Sequence, residues 1–285
     1  MTNVATNPPS RKPKKLRIRS WVQGFFLILV LAISLKKYLT ELGINLSFLP
    51  DASLHAICPF GGVVSLYQFF TVGTFVQKIH DSAFVLMLAA FALALLVGPA
   101  ICGWVCPFGT VQELIGTLGR KLHGKHYNNF IPSKVDKVLR YLRYVVLATV
   151  VYQTAVTGKL IFQGVDPYYA LFNLWSGELA PAALILLGII AVTSLFVERP
   201  WCKYACPYGA VLGLTNFIRI FKIRRNEQTC IQCGACNRAC PMNITVSDTK
   251  TVNNHQCISC LKCTSEQNCP IAKTVELQVW RGEKS

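Results

Sequence analysis

Two stretches a hundred residues apart, CGWVCPFG from Cys102 and CKYACPYG from Cys202, repeat one Cys-x-x-x-Cys-Pro-aromatic-Gly phrase, and each closes a long apolar run. Duplicated apolar segments ending in a duplicated phrase admit few folds. The chain has to build one half twice and bring the copies together, as membrane proteins with internal repeats do. The runs are long enough to cross a bilayer at about 19–39, 82–101, 139–157 and 179–198. Composition agrees: charged residues are 15% of the chain and apolar ones 52%, against roughly 25% charged in soluble domains.

Charge placement sets the topology. Residues 1–20 hold six Lys or Arg and little to bury, so they are expected to be a disordered basic tail that stays in the cytoplasm. Alternation then puts the loop carrying Arg120, Lys121, Lys125, Lys134 and Lys137 on the same side, with both Cys-x-x-x-Cys phrases and both termini. The net charge of +16 therefore follows membrane topology and does not call for nucleic acid. The first apolar run has no small-residue cleavage site and is read as a span. A weaker outer repeat pairs CPFGGVVSLY with DPYYALFNLW.

From residue 214 the chain becomes polar and basic, opening a second domain over 214–285 after a membrane domain over 21–213. FIRIFKIRR reads either as an amphipathic segment on the inner leaflet or as a solvated tether. CIQCGACNRACP then has the C-x2-C-x2-C-x3-C-P order of bacterial ferredoxins, in which the fourth cysteine ligates the other cluster. CISCLKCTSEQNCP supplies the second quartet. The crossed rule assigns Cys230, Cys233, Cys236 and Cys269 to one 4Fe-4S cluster and Cys240, Cys257, Cys260 and Cys263 to the other. Five residues, where three are usual, separate Cys263 from Cys269, so a bulge and an altered environment are expected there. Zinc is the alternative for C-x-x-C pairs, but two ordered quartets with Cys-Pro exits fit cubanes better.

In the membrane domain Cys102 and Cys106, like Cys202 and Cys206, would share a helix face at i, i+4, with Pro107 and Pro207 opening new helices. Four thiols could converge there as a further metal site or as redox thiols; the plain reading is buried small side chains. Cys58 has Asp166 in its place in the second repeat. His55, Asp166 and Tyr168 are candidates to serve a quinol headgroup, and the aromatics near Phe69, Phe70 and Tyr168 to Trp175 suit an interfacial belt or the lining of a quinone pocket. His80, His123 and His126 have no ligand-like spacing and are read as surface residues.

These features, four spans with Cys102-x-x-x-Cys106-Pro107, Cys202-x-x-x-Cys206-Pro207 and two cluster runs, resemble the NapH family of ferredoxin-type quinol dehydrogenase membrane subunits. NosR-type and CcoG-type proteins resemble it more broadly. The likeness covers roughly residues 15–275; the Cys58 element, HAICPFGGVVSLY, departs from it and leaves the partner open. The resemblance implies a membrane protein passing electrons between the quinone pool and a redox partner within a larger complex.

The expected fold is mainly α, a four-helix transmembrane bundle with a two-fold-like repeat plus a small α+β ferredoxin domain, in a bacterial or archaeal inner membrane. The expected cofactors are two 4Fe-4S clusters, a quinone, and a metal at Cys102, Cys106, Cys202 and Cys206. The rival readings are a copper reductase or oxidase assembly factor, whose paired thiols bind the metal directly, and a membrane-tethered iron–sulfur sensor.

Overall fold

A computed structural model of the chain describes residues 14–42, 81–157, 161–174 and 179–279. His55, Cys58, Phe69, Phe70, His80 and Trp175 lie outside the described residues.

Helix α1 runs over Lys14–Glu41. It begins inside the stretch expected to be a disordered tail, because Arg19, which looks solvated in a linear reading, is buried. The first repeat continues with α2 (Asp81–Val97), a short α3 (Ala100–Trp104) and α4 (Pro107–His123). A linking α5 (Ser133–Leu139) leads to the second set: α6 (Leu142–Thr157), α7 (Pro167–Phe172), α8 (Pro181–Ser194), α9 (Pro200–Tyr204) and α10 (Pro207–Leu214). Proline opens α4, α7, α8, α9 and α10 at the first turn, where its missing amide hydrogen costs nothing.

Packing repeats along with the sequence. α1 lies on α3 and α4, and α6 lies in the same way on α9 and α10. α8 crosses to α4, while α2 meets the Thr215–Phe217 turn that follows α10. α4 buries Phe108, Gln112, Gly116 and Gly119, a stripe at helical spacing, and carries Arg120, Lys121 and His123 in its last turn, where they oppose the negative helix end.

Among the described residues, by length and composition one helix, Ile18–Thr40, is apolar enough to cross a membrane; Val85–Val97 and Pro181–Ser194 are apolar but shorter. Large apolar side chains stand exposed on several helices, among them Trp21, Phe25 and Ile28 on α1, Val145 and Tyr152 on α6, and Ile185 and Ile189 on α8.

The C-terminal domain is closed by a two-stranded antiparallel sheet. β1 (Phe221–Arg225) pairs with β2 (Val275–Val279), with Phe221 opposite Val279 and Ile223 opposite Leu277. The FIRIFKIRR segment is thus neither a leaflet helix nor a tether: its second half is a strand, with Ile223 in the domain core beside Met242, Val246 and Val252. A short α11 (Ala235–Arg238) follows the first two cysteines of its run and carries the third, Cys236.

Candidate iron–sulfur and thiol sites

The domain folds its eight cysteines around two separate spaces. Cys230, Cys233, Cys236 and Cys269 line one cavity, together with Thr229, Ile231, Pro270 and Val275. Cys240, Cys257, Cys260 and Cys263 line another, walled by Ile223, Met242, Ile244 and Ile258. Each cavity takes three cysteines from one run and the last from the other. Among the described residues no three His, Cys, Asp or Glu side chains close around a single ion. The thiols surround a space, as the ligands of a polynuclear group do.

The loops that present them are wound unusually. Gln232, Ser259 and Leu261, each between two cysteines of a C-x2-C step, have φ of 52°, 47° and 56°. Non-glycine residues in this left-handed region cost energy and gather at functional sites; here the winding curls successive amides around the thiols. The Gln232 amide lowers the Cys230 thiol below its ordinary value, against burial, and Arg225 helps. The cavities differ in access: Cys233 is exposed, whereas Cys257, Cys260 and Cys263 are buried. The two extra residues before Cys269 are taken up in turns, tied by the Cys269 amide to Ser265 O at 2.9 Å and by Asn268 Nδ2 to Lys262 O at 2.8 Å.

The repeated phrases form a third cysteine locus. Cys102 sits within α3 and Cys106 caps α4 with extended backbone, φ −60° and ψ 112°. Cys202 and Cys206 stand likewise in α9 and before α10. Each pair therefore brackets a helix break and does not share one helix, because the residue before proline is driven out of the helical region. The four thiols are close enough that Cys102, Cys106 and Cys202 all raise the thiol of Cys206. Burial pushes every one of them upward, Cys202 to about 11. Such thiols stay protonated at neutral pH unless a metal takes the proton's place.

α4 of the first repeat reaches the second: Gln112 Nε2 points to Cys202 Sγ at 3.6 Å and its Oε1 accepts from the Trp201 amide at 3.1 Å. Phe108, Trp201, Phe162 and Tyr168 pack around Cys106 and Cys206. Tyr168 and Phe172 are thus packed inside rather than forming an outer belt; Phe172 is buried against Val30 of α1. Asp166 caps α7, accepting from the Tyr168 amide at 3.1 Å. Burial raises its carboxyl to about 6, and its charge is felt at Cys106. His123 meets the ring of Phe130 edge-on and that of Phe196 at a tilt.

The ferredoxin domain is seated on this locus. Cys102 packs against its core, and Trp104 Nε1 donates to Ser259 O at 3.0 Å. A buried charge network spans the joint: Glu113 meets Arg19 at 2.6 Å, Arg199 at 2.7 Å and Lys262 at 2.8 Å, and Lys262 continues to Glu198 at 3.0 Å. Arg199 also donates to Cys102 O at 2.6 Å. Sequence reasoning missed these residues because, in a basic chain, charges near span ends read as solvated. The only hint was Glu198-Arg199 lying directly against an apolar run and a cysteine phrase.

Comparison with known proteins fits these sites. A family described as a 4Fe-4S binding domain matches residues 80–126 and again 179–226, once for each repeat. A 4Fe-4S dicluster domain matches residues 222–270. YccM of Escherichia coli (strain K12), whose name assigns it provisionally to electron transport, is 33% identical over 76% of this chain and 61% of its own length. The protein MJ0750 of Methanocaldococcus jannaschii is 31% identical over 73% of this chain and 82% of its own. The ferredoxin-type protein NapH of Haemophilus influenzae is 30% identical over 60% of each chain. The match thus spans about three fifths of YccM and of NapH. No solved structure matches. With both repeats and the paired cysteine runs accounted for, the chain belongs to the NapH-like family of 4Fe-4S ferredoxin-type proteins.

Proposed function

We propose that the chain is a membrane-bound electron-transfer protein with two 4Fe-4S clusters, working between the quinone pool and a redox partner in a larger complex. The observation that carries this reading is the crossed lining of the two cavities by Cys230, Cys233, Cys236 and Cys269 and by Cys240, Cys257, Cys260 and Cys263. These quartets are the ligand sets. When bound, such clusters supply one-electron exchange.

The membrane domain comprises residues 21–213, with four spans at about 19–39, 82–101, 139–157 and 179–198 and both termini cytoplasmic, in a bacterial or archaeal cytoplasmic membrane. Its exposed apolar helix faces support lipid contact, since soluble surfaces rarely carry so much apolar area. Residues 214–285 form the cytoplasmic ferredoxin domain.

Cys102, Cys106, Cys202 and Cys206 are the candidates for a further metal centre, supported by their mutual proximity and by the matching of a 4Fe-4S binding family to each repeat. Asp166, whose charge is felt at Cys106, is the candidate to take a proton from a quinol, which releases protons as it releases electrons, with Tyr168 in the aromatic wall beside it.

The test is iron and acid-labile sulfide per chain with EPR on anaerobically purified protein, wild type against a variant with Cys102, Cys106, Cys202 and Cys206 all changed to Ser. About eight irons in both follows from two cubanes alone. An iron excess that vanishes in the variant makes the repeated phrases ligands of another centre; copper uptake that vanishes instead moves the locus to copper handling. Zinc in place of iron would refute the electron-transfer reading.

A further inference from the structure

Arg219 stands against the second cavity, wholly removed from solvent. Its Nη1 donates to Ser259 Oγ at 2.9 Å and reaches Val97 O at 3.5 Å and Cys257 Sγ at 3.7 Å; Nη2 donates to Val252 O at 2.7 Å. Among the described residues no carboxylate lies within ion-pair distance of it, in contrast to Arg199 with Glu113. Every other acceptor it touches is a neutral carbonyl or hydroxyl. An arginine keeps its proton even when buried, and a buried charge without a counter-charge is strongly unfavourable.

The surroundings are shaped for this guanidinium. Gly98, at the end of α2, has φ of +88°, and a Cβ there would stand 2.8 Å from Arg219 Nη1 and 2.7 Å from Ser259 Oγ. Asn216 fixes the same loop through Nδ2 to Cys257 O at 2.8 Å. The group in reach that can carry negative charge is Cys257, as the thiolate of a ligand set.

We propose that Arg219 is the fixed counter-charge of the buried cluster site, holding positive charge against Cys257 and thereby raising the reduction potential of the cluster in the Cys240, Cys257, Cys260 and Cys263 cavity. This rests on the reading that those four cysteines hold a cluster. Reduction brings one electron, from whichever donor serves the protein, into a site that is already negative. A cation beside a ligand sulfur stabilises the reduced form more than the oxidised one. No bond or proton of Arg219 changes in the step.

The experiment is an EPR-monitored redox titration of the full-length protein, wild type against Arg219→Gln and Arg219→Met, with iron counted in each. Cys233→Ser, which alters the exposed site only, identifies the signals. The expected result is full iron and a tenfold or greater fall in the reduced-to-oxidised ratio of the buried cluster at fixed poise, 59 mV for one electron, with the exposed cluster unmoved. Unmoved midpoints with full iron, or equal shifts of both, overturn the proposal. If both variants lose iron, wild-type protein labelled with 15N-arginine decides. A nitrogen coupling to the reduced buried cluster in pulsed EPR is expected, and its absence overturns the assignment. A wild type with no cluster signals would sink the cluster reading itself, and Arg219's role with it.

Discussion

Replacing Gly103 with Ala tests whether the ferredoxin domain is seated on the first cysteine phrase. A Cβ at Gly103 would run into the carbonyl of Ile258 and lie 3.3 Å from both Cα and N of Cys260. The Ile258 carbonyl would have to retreat by about 1 Å to reach ordinary contact, and overpacking of this kind costs about 1–3 kcal/mol. The same movement strains the bond from Trp104 Nε1 to Ser259 O, worth about 1 kcal/mol. Gly188 on α8 is the matched control, because nothing lies within 4 Å of a Cβ built there. Both substitutions gain about 1 kcal/mol of helix propensity, so the difference between them isolates the contact. The assay is anaerobic thermal bleaching of the cluster absorbance: G103A should bleach at a lower temperature than wild type, and G188A at the same or a higher one. Equal bleaching of G103A and G188A, with full iron, would refute the seating of residues 258–260 on α3.

Glu113→Gln removes the carboxylate shared by Arg19, Arg199 and Lys262 and strands buried cations, at a cost of about 3–5 kcal/mol; iron retention after mild heating should drop. Burial would raise the Glu113 carboxyl, but Arg199, Lys262 and Arg19 outweigh it and hold it far below the usual carboxylate range. A depressed carboxyl contributes stability that is complete above its unfolded value near 4.5 and lost only as pH falls through the folded one. The deficit of E113Q should therefore be constant from pH 6 to 8, and a deficit that disappears within that window would refute the pairing. The unequal exposure of the cavities gives a second outcome: ferricyanide should destroy the cluster beside exposed Cys233 before the one behind buried Cys257, Cys260 and Cys263. Loss of both EPR signals at one rate would contradict it.

The C-x2-C-x2-C-x3-C-P order made the crossed grouping legible, because in bacterial ferredoxins with that order the fourth cysteine ligates the other cluster. The break between Cys102 and Cys106 was legible too, since Pro107 disfavours helical backbone at the residue before it and so interrupts an i, i+4 face. Strand β1 was not, because FIRIFKIRR has apolar residues that suit either period, and only pairing with distant Val275–Val279 selects one. The burial of Arg19, Arg199 and Arg219 was hidden for a different reason. A charge enters a core only when the fold brings polar groups to meet it, and these lie far along the chain: Glu113, 94 residues from Arg19 and 86 from Arg199, and the Ser259 hydroxyl, 40 from Arg219.

The repeat also explains where the ferredoxin domain sits. Two copies of one unit present two equivalent surfaces, yet one domain has to be seated on both. Position 103 is Gly where the second repeat has Lys203, and position 113 is Glu where the second repeat has Gly213. A Cβ at Gly103 would meet Ile258 and Cys260, while one at Gly213 would meet His255 O at 2.5 Å and Arg143 Nη2 at 2.7 Å. Each repeat thus has a glycine at a different place, and one segment, residues 255–260 with Cys257 and Cys260, lies across both gaps. The side chains kept at the opposite positions, Glu113 and Lys203, face their own buried partners, Lys262 and Asp136. The difference between the two repeats at these positions lets them hold a single domain in one orientation, with Cys102 of the first phrase packed against the core that contains the buried cysteine quartet.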